Sequence, residues 1–167
     1  MSPRLLRHGF NLWPPFLLTG IHVTALSDDW RHAAVELRLW PWNRNYVGTH
    51  FGGSLFAMTD PFWMILIMRA LGPDYVVWDK AAEIDFIQPG RGTVHCRFDI
   101  EDGVLDELRA AAAGGSKVLR WFDCPVTNAQ GELVARVRKQ IYVRLKPNRR
   151  PERDGAHTQP ENEAKAA

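Results

Sequence analysis

Apolar and polar residues alternate along most of this chain, and one long apolar stretch lies between the alternating runs. In residues 31–40, Ala33, Val35, Leu37 and Leu39 share one face, with Glu36 and Arg38 on the other; this is the period of a half-buried strand. Residues 92–101 repeat the pattern, with Val94, Cys96, Phe98 and Ile100 inward and Thr93, His95, Arg97 and Asp99 outward. Strands are also predicted over 20–26, 75–87, 116–127 and 131–146, the last two joined as a hairpin around Asn128-Ala-Gln-Gly131. Ser27-Asp28-Asp29 and Gln88-Pro89-Gly90 supply turns. Residues 53–70 are predicted to form the one long apolar helix, stopped before Gly72-Pro73. Shorter helices are expected over 2–12 and 104–113.

Strands joined by hairpins are antiparallel, and a single long helix cannot cover two sheets. The order therefore predicts an α+β fold in which one curled antiparallel sheet wraps that helix. Residues 1–146 are expected to form a single domain, with 1–14 as an N-terminal helical extension. From Pro147 the chain turns polar and loses apolar periodicity, so 147–167 is expected to be a disordered tail.

With 46% apolar residues the chain can fill a core, and its net charge of +2 gives no general reason to expect nucleic acid as a partner. No membrane partner is expected, because Asp60 and Arg69 interrupt the best candidate span. Arg4 and Arg7 before an apolar run resemble a targeting signal, but Pro14-Pro15 breaks that run. Cys96 and Cys124 are too few for a disulfide framework, which points to a reducing, cytoplasmic setting.

Candidate chemistry concentrates in Asn45-Tyr-Val-Gly-Thr-His50-Phe51-Gly52-Gly53-Ser-Leu-Phe-Ala-Met-Thr-Asp60. A helix opening at Gly-Gly offers unpaired N–H groups to a carbonyl oxygen or an anion. Asp60, set among Phe56, Trp63, Met64 and Ile67, is a carboxylate in apolar company and a candidate base. The structural alternatives are a cap for a helix restarting at Pro61, close packing at the glycines, and an Asx-turn at Asn45. His95 and Cys96 are strand neighbours on opposite faces and cannot form a dyad. The histidines show no metal-ligand spacing, so no metal site is expected.

The element order, together with Thr49-His-Phe-Gly-Gly-Ser-Leu-Phe-Ala-Met-Thr-Asp-Pro61 and Trp78-Asp-Lys80…Gln88-Pro-Gly-Arg91, resembles the hot-dog fold. Within it, the pattern is similar to acyl-CoA thioesterases of the phenylacetate-pathway (PaaI) type, and most similar to the DUF4442 branch. The resemblance implies a homodimer or tetramer that hydrolyses an acyl-CoA thioester without metal or redox cofactor. It also implies a carbonyl held by N–H groups near Gly52 and Gly53, Asp60 acting from the partner subunit, and Asn45 helping to orient it. Phe51 stands where the family carries His, with His50 one place earlier, and Asp79 falls near a family water-orienting Ser. These departures sustain the alternative of a non-catalytic acyl-CoA or fatty-acyl binder; a dehydratase would need His50 as its catalytic group. Trp63 is a candidate for an acyl tunnel. Arg91 is a candidate for CoA phosphates, together with the cationic face Arg136, Arg138, Arg144 and Lys146.

Overall fold

The computed structural model describes residues 1–150; most of the expected disordered tail, 151–167, lies outside the described residues. Six strands form one antiparallel sheet in the order β1-β2-β4-β5-β6-β3. They are β1 (Ile21–Leu26), β2 (His32–Leu37), β3 (Tyr75–Phe86), β4 (Val94–Asp99), β5 (Val118–Asn128) and β6 (Leu133–Leu145). The alternation seen in sequence is the alternation of burial. Ala33, Val35 and Leu37 of β2 and Val94, Cys96 and Phe98 of β4 all point into one core. The predicted hairpin forms, with Gly131 at φ 83° and its N–H donating to Asn128 O. The strand expected over 31–40 ends at Leu37 because Pro41 follows and Asn43 caps the turn, its Nδ2 donating to Thr19 O and Arg38 O.

The central helix is broken, contrary to the continuous 53–70 expected. It forms α3 (Gly52–Ala57) and α4 (Phe62–Leu71), with Asp60-Pro61 at the joint. Pro61 has no N–H to continue the ladder, and its ring crowds the preceding turn. Phe62, Leu66 and Ile67 of α4 are fully buried against the sheet, each contributing roughly 1.5–3 kcal/mol of transfer free energy. By length and composition Gly52–Leu71 could cross a bilayer, yet half of it is buried inside the protein.

At the N-terminus the expected helix forms as α1 (Pro3–Leu12), capped by Ser2 Oγ. A second helix, α2 (Pro14–Thr19), follows at once, because a proline at the first helical position sacrifices no hydrogen bond. Both helices belong to the folded body. Phe16 lies in the core, and Asn11 is bonded to both polar groups of the Val23 backbone at 2.7 and 3.1 Å. The helix expected over 104–113 forms as α5 (Val104–Ala112). Past the expected boundary at 146 the chain adds a 3-10 turn, Pro147–Arg149, tied back by the Arg149–Asp74 ion pair.

Candidate active site

Breaking the helix at Pro61 turns Asp60 out of the core and toward β6. Its carboxylate caps no backbone N–H. Instead its Oδ1 accepts from Lys139 Nζ at 2.6 Å. Lys139 stands in register with Val137, Ile141 and Val143, the inward face of β6, and its side chain is 2% exposed. A cation so placed needs partners. Asp60 is the nearest, Asp79 Oδ1 lies 3.9 Å away, and the Phe56 ring centroid 5.2 Å. The sequence reading missed Lys139; its phase with three buried aliphatic residues is the one signal that marks it.

Asp79 faces the same side from β3, where the ladder slips by one residue between Asp79 and Ala81. Its Oδ1 is buried without a hydrogen-bond partner. Desolvation raises its pKa, the Lys139 charge opposes that rise, and Asp60 adds to it. Asp60, which is 62% exposed, is the carboxylate of the pair that a substrate can reach.

The glycines lie at the start of α3. A side chain on Gly52 would come within 2.9 Å of the Phe86 ring, and one on Gly53 would collide with the Phe51 ring. Both rings belong to exposed side chains that would have to move aside, so glycine lets them close over the start of α3. The N–H groups of Ser54 and Leu55 return to Phe51 O, whereas those of Gly52 and Gly53 have no intrahelical acceptor within reach. Gly53 and Asp60 border one cleft of about 340 Å³, together with Phe10, Trp13, Phe16 and Phe56. Gly52 borders a second, of about 360 Å³, on the other side of α3, with Asn45, His50 and Phe86.

Asn45 shows the Asx-turn arrangement, not a free amide. Its Nδ2 donates to Thr49 Oγ1 and His50 O, while its Oδ1 accepts from the Val47 and Thr49 N–H groups, which uses its whole capacity. His50 is buried, and its Nε2–H donates to Gly92 O at 2.7 Å. Burial lowers its pKa, an effect that the Gly92 bond partly offsets, so the ring is a neutral brace with that proton committed. Phe51 is exposed beside Gly53. Trp63 points away from both clefts into the core, stacked on Phe122 at 4.6 Å with its Nε1–H aimed at Cys124 Sγ. Arg91 is exposed and borders neither cleft. A larger hollow of about 530 Å³ lies at the β4–β5 end, lined by His95, Arg97 and part of the 128–131 turn. Among the described residues no carboxylate lines it, and Asn45, His50, Gly52, Gly53 and Asp60 all border the other two clefts.

A family model described as "Domain of unknown function (DUF4442)" matches residues 3–143. The chain belongs to the DUF4442 family. No curated protein matches it by sequence. Among solved structures, this DUF4442 chain is similar to the probable thioesterase PA5026 of Pseudomonas aeruginosa, at 18% identity and a TM-score of 0.77 over 87% of this chain and 97% of that one. Thioesterase HI1161 of Haemophilus influenzae aligns at 13% identity and 0.63, covering 87% and 92%. The PaaI protein of the Escherichia coli phenylacetic acid degradation operon aligns at 16% and 0.56, covering 83% and 90%. At these identities the likeness shows the fold, and the fold is the hot-dog fold, as the sequence pattern implied.

Proposed function

We propose that this DUF4442 protein is an acyl-CoA thioesterase-like hydrolase acting at the Asp60 cleft. One observation carries the proposal: within one chain a solvent-reachable carboxylate and Gly53, whose N–H has no intrahelical acceptor, border the same apolar cleft, where the resemblance implied a carboxylate from the partner subunit. In this scheme the thioester oxygen accepts from the N–H groups at the start of α3, which stabilise the charge it gains in the transition state. Asp60 takes a proton from a water molecule, and the resulting oxygen attacks the carbonyl carbon. Collapse of the tetrahedral intermediate breaks the C–S bond. The thiolate leaves and recovers the proton from Asp60, giving a carboxylic acid and a thiol. Lys139 holds the Asp60 carboxylate at 2.6 Å and fixes its orientation, so it acts as a positioning residue. Release of free thiol from a panel of acyl-CoA thioesters tests the proposal.

A second reading, an acyl-CoA or fatty-acyl binder, is favoured by the commitments of Asn45 and His50, which leave Asp60 without a further catalytic side chain at the cleft. The two buried free cysteines accord with the cytoplasm as its setting.

The sheet also supports self-association. β3 is a 12-residue edge strand whose Lys80, Ala81, Ala82, Glu83, Asp85 and Phe86 are all exposed, a long unpaired ladder of the kind natural proteins cover. A two-fold axis across β3 would continue the sheet into a second copy and enclose Phe86 beside Gly52. Light scattering at micromolar concentration should give twice the 19.0 kDa chain mass; a monomer contradicts this assembly.

A further inference from the structure

The cleft at Asp60 owes one whole wall to the N-terminal helices, which the hydrolytic scheme leaves without a role. Phe10 of α1 stacks on Phe16 of α2 with ring centroids 5.4 Å apart, and Trp13 at the joint lies 5.2 Å from Phe16. Pro14 and Pro15 fix the turn between them. Arg7 and Asn11 pin α1 to the backbone of β1, so the aromatic wall is held in place without a ligand. The facing wall is Phe56, Ala57 and Ile65, and among the described residues the only charged group bordering the space is Asp60.

From this arrangement we propose that the cleft is the acyl-group subsite and that residues 10–16 select the acyl group, the substrates being thioesters of medium-length, unsubstituted apolar acids. The proposal rests on the hydrolase reading for the placement of the carbonyl at Gly53 and Asp60. The aromatic walls offer no partner to a hydroxyl or a charge on the acyl chain, and such a group buried there would be left unsatisfied. A volume of about 340 Å³ sits at the lower end of the roughly 300–1,000 Å³ of small-molecule sites. The space holds a chain of moderate length, and a long one overruns it. Each methylene that enters should tighten binding by about fourfold.

Calorimetric titration of the full-length protein with CoA and with its S-butyl, S-octyl and S-hexadecyl thioethers tests this. These probes keep the CoA portion but cannot be hydrolysed. S-octyl-CoA is expected to bind at least about 100-fold more tightly than CoA, and S-hexadecyl-CoA to gain nothing further. Ala57→Phe, which fills the cleft from α3, should remove at least about tenfold of the S-octyl affinity. Trp13→Ala strips a wall residue that is already 47% exposed, so the protein should still fold while the S-octyl affinity falls by several-fold. Equal affinity for CoA and S-octyl-CoA overturns the subsite, and so does wild-type S-octyl affinity in both folded variants. Tight S-octyl-CoA binding with no thioester hydrolysis would retire the hydrolase and leave the subsite standing. Hydrolysis with no gain in affinity from the S-octyl chain would do the reverse.

Discussion

Asp60→Asn should abolish most thioester turnover and also destabilise the protein. The activity loss is expected at about 100-fold or more in kcat, because Asn retains the shape of Asp60 without its basicity. Binding of a non-hydrolysable acyl-CoA should persist, since the lost interaction belongs to the transition state. The stability loss has a separate cause. Lys139 is buried and Asp60 is its nearest counter-ion, with Asp79 at 3.9 Å. Removing one partner of a fully buried pair costs about 3–5 kcal/mol, and here only Lys139 is fully buried while Asp60 is 62% exposed. Asn still accepts a hydrogen bond and Asp79 remains nearby, so the lower end applies, a drop of about 6–12 °C in melting temperature. Melting curves and single-turnover hydrolysis on the same preparation check both effects.

The double variant Asp60→Asn/Lys139→Met separates them. Met fills most of the lysine stem's volume and removes the buried cation; Asp79, whose pKa burial already raises, can answer the loss by taking up a proton, and replacing a buried ion pair with apolar groups is often neutral or stabilising. The melting temperature should therefore return to within a few degrees of wild type. Turnover should stay down by about 100-fold or more, because no carboxylate has been restored to the cleft. If turnover recovers along with stability, Asp60 is a structural partner of Lys139 and nothing more. If stability fails to recover, the Lys139–Asp60 bond is not what holds the helix joint.

The sheet was legible because its signal is local and repeated. Val94, Cys96, Phe98 and Ile100 alternate with polar neighbours, and the same four are buried. The helix joint was not legible from apolar content, since residues 53–70 are nearly continuous in it; Pro61 alone marked the break, and the sequence reading treated it as a helix start. The structural alternative, a helix restarting at Pro61 with Asp60 as its cap, matches the restart, but no side chain caps α4. Lys139 was hidden by its company. It lies between Arg138 and Gln140 in a cationic strand, and its partner Asp60 is 79 residues away. Trp63 is aromatic and apolar enough for either an acyl tunnel or the core, and sequence does not choose between them. The helical turn of α4 points it at Phe98 and Phe122. The N-terminal segment was expected as a helical extension of the domain, with no part in the site, and its Phe10 and Trp13 furnish one side of the candidate cleft together with Phe16.

The central claim is that this hot-dog protein breaks a thioester at Asp60. It is tested most directly by steady-state release of CoA thiol from acyl-CoA substrates of graded chain length, using wild-type protein. The account predicts saturable turnover, with its highest kcat/KM on a medium-length chain. Saturable binding of those same acyl-CoAs with no thiol released from any of them would contradict it.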